Sequence, residues 1–94
     1  MIECYAFAIG GMPDPIMHPI RAKRTAAWLM DVAEGLIGLH PCDRYHTLLV
    51  FKTLNDAKVA RNRIVAAGNE AGTHIMRSTF DDETGTLNVI ESAD

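Results

Sequence analysis

Three of the side chains with the widest chemical range fall within one short stretch, His40-Pro41-Cys42-Asp43-Arg44-Tyr45-His46. Imidazole and thiolate are zinc ligands, and His18 is available as a fourth. The spacing H-x-C-x3-H is not that of the common structural zinc pairs, however, and only one thiolate is at hand. The same residues also read as a polar loop leading into a strand, and no metal or other cofactor is expected. Cys42 beside His40 or His46 has the makings of a nucleophile and base, but sequence neighbours in a loop do not make a catalytic pair. Cys4 sits inside an apolar run, where cysteine behaves as a small hydrophobe. Asp81-Asp82-Glu83 is a solvated turn tip rather than a pair of working carboxylates. No catalytic residue is assigned.

A second constellation could bind rather than react. Gly10 and Gly11 end an apolar run, and Arg21, Lys23 and Arg24 follow in what reads as the first turns of a helix. Cations there oppose the helix dipole, at about 0.3–1 kcal/mol each. Glycines let a ligand approach the backbone, and a helix N-terminus favours negative charge. The five residues together sketch a site for a small anion, such as a phosphate-bearing ligand. The competing reading is a solvated basic face.

A third set is apolar. Tyr5 and Phe7 share one face of a strand-like run, and Tyr45 and Phe51 share one face of another. Aromatic residues on an open sheet face suit single-stranded RNA, but the Lys/Arg pattern that would accompany them is missing. They equally suit a sheet-to-sheet dimer or a core. Met12, Ile16 and Met17 add an apolar loop next to them, so these seven residues are the expected interface.

The elements that must position these residues can be read from periodicity. Ile2 to Ile9 is a strand with apolar residues on both faces, hence central. Gly10 to Pro15 breaks it. Pro19 opens a helix whose stripe is Ala22, Ala26, Leu29, Ala33 and Leu36, with Gly38 and Pro41 ending it after Ile37. Tyr45 to Thr53 is the second strand. Thr53 or Asn55 caps a helix from Asp56 to Ala67, closed by Gly68, with Ala57, Ala60, Ile64 and Ala67 inward. Thr73 to Phe80 and Thr86 to Glu91 form a hairpin around Asp82-Glu83-Thr84-Gly85.

The expected fold is therefore α+β in one domain: a two-layer sandwich, β-α-β-α-β-β, with a mixed sheet and both helices on one face. The alternative is a ferredoxin-like β-α-β-β-α-β order, in which the first helix stops at Gly35 and Leu36 to His40 is a strand. In topology the first order resembles the C-terminal domain of translation initiation factor three and the small sulfur carriers. Gly11-Met12-Pro13-Asp14-Pro15 is similar to the Cys-Pro-x-Pro of those carriers in its prolines. Met12 stands where their thiol would be, and a thioether forms no persulfide, so the resemblance extends to fold and not to activity.

Composition bounds the rest. Of the 94 residues 48% are hydrophobic and 22% charged, enough for one core and no second. Only 6% are aromatic, so Ala, Val, Ile, Leu and Met must build it, and part of the stability is expected from a subunit interface. A net charge of −3 argues against a general nucleic-acid binder. Two cysteines without a framework point to a reducing compartment, and neither a leader segment nor a membrane span is read. The expectation is a cytoplasmic, non-catalytic interaction protein. It acts through an apolar sheet face and the 10–18 loop, as a homodimer or with a protein partner.

Overall fold

A computed structural model describes residues 1–10, 16–42, 46–68, 71–72, 74–81 and 83–93. Their order is β1 (Ile2–Gly10), α1 (Pro19–Val32), β2 (Leu36–Pro41), β3 (His46–Phe51), α2 (Leu54–Ala66), β4 (Met76–Asp81) and β5 (Thr86–Ser92). The sheet runs β2-β3-β1-β4-β5, and every pairing between neighbours is antiparallel. The expected mixed sheet does not form, because the extra strand β2 reverses the chain so that β3 runs against β1. The two-layer α+β fold expected from the sequence is the fold found, with both helices contributing to one core on one side of the sheet. Within that fold the chain takes the second of the two element orders. Leu36–Pro41 is a strand, and the order β-α-β-β-α-β is completed by one further strand, β5, on the outer edge.

The reason lies at Gly35, not Gly38. Gly35 has φ +86°, a left-handed conformation that stops α1 and turns the chain into β2. It also lies so close to α2 that a methyl group there would sit 2.7 Å from Asp56 Oδ2 and 3.1 Å from its Cβ. Leu36 keeps its expected place in the core while changing element. As the first residue of β2 it pairs with Phe51 and packs against the helix-side cluster.

The helix-side core is made of Phe7 and Ile9 from β1, Leu49 and Phe51 from β3, Ile75, and Leu29, Ala33, Ala57, Ala60 and Ile64 from and beside the helices. Phe7 and Phe51 are diagonal neighbours across the β1–β3 ladder and stack with ring centroids 5.5 Å apart. Small alanines on α2 let that helix sit close over the rings. Thr53 caps α2, its side-chain oxygen accepting from the Asp56 N–H at 3.1 Å. The β4–β5 hairpin closes as expected, Gly85 carrying φ +72° and donating to the Asp81 carbonyl.

The helix-free side holds a second, smaller cluster. Cys4, Ala6 and Val50 are wholly buried there, although no helix covers them; Leu48, Phe80 and Leu87 pack over them. No helix among the described residues is long and apolar enough to cross a membrane.

Candidate functional site

The aromatic residues expected at an interface are on the helix side. Phe7 and Phe51 are fully buried and Tyr5 half-buried against the same cluster, so these residues form core rather than a docking face. The physical reason is size. Large rings fill the gap between a sheet and alanine-lined helices, whereas the small Cys4 and Ala6 leave the opposite face shallow enough for Phe80, Leu48 and Leu87 to close. Tyr45 and Met12 lie outside the described residues, as does Gly11.

The other expected interface residues are in the open. Ile16 is 87% exposed and Met17 71%, on the lead-in to α1. Ile20, in the first turn, is 68% exposed, and Met30, near the end of the same helix, 82%. Sequence reasoning missed Ile20 and Met30. The stripe that assigns Leu29 and Ala33 to the core leaves both of them outside it, and that signal was there to be used.

The architecture of α1 explains the exposure. Leu29 and Ala33 bury and Trp28 half-buries, anchoring the C-terminal end of the helix. Toward the N-terminus only Ala22 and Thr25 are even half-buried, and Ala26, assigned to the inner stripe, is exposed. The first two turns thus stand away from the core. Pro19 presets the first turn, but the N-cap residue His18 makes no side-chain capping bond and the first turn holds no acidic residue.

The anion constellation does not assemble among the described residues. Arg21, Lys23 and Arg24 are all exposed. Lys23 and Arg24 border a shallow, open depression of ≈ 440 Å³ with Pro19, Ile20 and Ala27. Gly10 belongs to a different depression of ≈ 270 Å³, lined by Ala8, Ile9, His46, Ala71 and Gly72. Arg21 borders neither.

Of the histidine and cysteine stretch, His40 is half-buried on β2, while Cys42 and His46 are exposed; residues 43–45 lie outside the described residues. The Cys42 N–H donates to the His46 carbonyl at 3.0 Å, a backbone bond that closes the loop between β2 and β3. No group of three or more metal-ligating side chains occurs among the described residues. Burial, with the Glu3 carboxylate adding to it, pushes the Cys4 thiol above its ordinary value, which keeps it protonated and unreactive.

No family model, no curated protein and no solved structure matches this chain. The functional reading therefore rests on the residues themselves.

Proposed function

We propose that this chain is a small, non-catalytic interaction module of the cytoplasm that docks a protein partner or a second copy through its exposed apolar surface. That surface centres on Ile16, Met17 and Ile20, at the end of the 10–18 loop and the start of α1, and extends along the helix to Met30. One observation carries the reading: four large apolar side chains of one helix and its lead-in are each at least two-thirds exposed. Leaving such a patch in water forgoes about 25 cal/mol for every Å² that a partner would cover. The apolar rim of the helix-free sheet face, Ile2 and Val89, is a lesser contributor, because Phe80 already closes the centre of that face. Both cysteines are free thiols, consistent with a reducing compartment.

The test is site-specific photocrosslinking in cells. A photoreactive residue in place of Met17 captures one discrete species, and the purified captured protein binds the native chain but not Ile20→Glu. The same residue in place of Val59, exposed on α2, captures nothing discrete. Failure of position 17 to capture anything that position 59 does not would end the reading.

A second reading keeps the α1 cations as a site for a small anion. It is supported by Arg21, Lys23 and Arg24 making no ion pair with another described residue at a helix end that already favours negative charge. Separation of Gly10 from these residues weighs against it. Melting temperature followed against phosphate at fixed ionic strength decides, since a specific site gives a rise that the double variant Arg21→Ala, Arg24→Ala loses.

A further inference from the structure

The outer edge of β5 offers a kind of contact that the reading above does not use. β5 pairs with β4 on one side and with no other described strand, so the outward N–H and C=O groups along Thr86–Val89 form an open row. Six of its seven residues are exposed, among them Val89 at 51% and Ile90 at 49%. Natural edges are usually blunted with lysine, proline or irregular backbone. The opposite edge, β2, follows that rule: a register shift lies between Leu36 and Gly38, and Pro41 supplies no N–H. β5 has a bulge near Ile90, but Thr86, Leu87, Asn88 and Val89 run in unbroken register against Asp81, Phe80, Thr79 and Ser78. Those four residues include no charge, no proline and no glycine.

We infer that this edge pairs with the same edge of a second copy, antiparallel about a two-fold axis through Asn88, joining two five-stranded sheets into one. The occupant is a second copy because the segment is self-complementary. Antiparallel pairing about that axis sets Leu87 opposite Val89, a contact that occurs twice, with Asn88 facing its own counterpart on the axis. Charge agrees with this register. Glu91 falls beyond the paired stretch, and its carboxylate is held on its own chain by Arg77, with Nη2 at 2.9 Å and Nε at 3.0 Å. No like charges meet across the axis. Such an axis stands perpendicular to the sheet, so the helix-free faces of both copies lie on the same side. Leu87 and Val89, which share that face with their partners Phe80 and Ser78, then form one apolar strip with their counterparts across the axis.

Light scattering and amide hydrogen exchange over a concentration series test this on the native chain. Edge pairing requires the mass to climb from 10.3 kDa toward twice that value, with exchange at Thr86–Val89 slowing in step. Val89→Lys places a charge opposite Leu87 of the second copy, beside the axis, and leaves a folded monomer, judged by unchanged Trp28 fluorescence, whereas Val89→Thr still dimerises. A mass fixed at the monomer value across the series overturns the inference. So does a dimer in which Thr86–Val89 exchange at the monomer rate, and that readout needs no variant to fold. Position 17 crosslinking is a separate surface and a separate result, so either idea fails without the other.

Discussion

A methyl group built on Gly38 would sit 3.7 Å from Cζ of Phe80, although these residues belong to β2 and β4 with two strands between them. Three strand spacings span about 14 Å in a flat sheet. The sheet therefore curls toward its helix-free side, and Phe80 lies across the hollow. That single ring, with Leu48 and Leu87, is how Cys4, Ala6 and Val50 reach zero exposure with no helix above them.

Thiol accessibility follows from this arrangement. In the native chain a disulfide reagent should modify Cys42, which is exposed, and leave Cys4 untouched until unfolding. Phe80→Ala opens the hollow and makes Cys4 react in the folded state. Because Phe80 is only half-buried, the stability cost should fall at or below about 3 kcal/mol, the lower end for buried Phe→Ala changes. Gly38→Ala meets Phe80 at ordinary contact distance and should be tolerated, while Gly38→Leu should displace the ring and mimic Phe80→Ala.

Alkaline pH should destabilise the fold through the same thiol. Burial holds the Cys4 thiol above its ordinary value of 9.0, so the folded chain keeps a proton that the unfolded chain releases first. Below that value the preference costs nothing, and as pH rises past it stability falls. Lysines and tyrosines titrate nearby, so the comparison is with Cys4→Ala. Urea midpoints of the native chain should drop more steeply between neutral and strongly alkaline pH than those of the variant.

Gly35→Ala should be among the most damaging small substitutions. The residue occupies a left-handed conformation that costs a residue with a Cβ about 1–2 kcal/mol, and the new methyl group would push against Asp56 in the first turn of α2. Thermal unfolding measures it: a loss of several degrees is expected, against a near-neutral effect for Gly38→Ala.

Much of this architecture was legible from residue patterns, and the departures have definite causes. The α2 boundaries, its Thr53 cap and the Gly85 turn follow from local chemistry, which acts within a few residues. Leu36 was ambiguous because a core position at the end of a helical stripe is also a core position at the start of a strand; only pairing with Phe51, fifteen residues on, decides between them. Which face of β1 the helices cover is undecided by pattern for the same reason, since its aromatic face suits a core as well as an interface. Alternation shows that β1 has two apolar faces, but the cover of the smaller one, Phe80, arrives from a distant strand. At the candidate site the exposed Ile16 and Met17 could be read directly, while Ile20 and Met30 needed the knowledge that α1 docks by its C-terminal end alone.

Methionine oxidation tests the docking surface most directly. Met17 and Met30 lie on it, and Met1, 82% exposed on the lead-in to β1, serves as the internal control. In dilute purified protein all three should oxidise quickly. In native extract, where the partner is present, Met17 and Met30 should be protected while Met1 stays reactive. Equal oxidation of Met17 and Met1 in both settings would contradict the assignment of this surface to a partner.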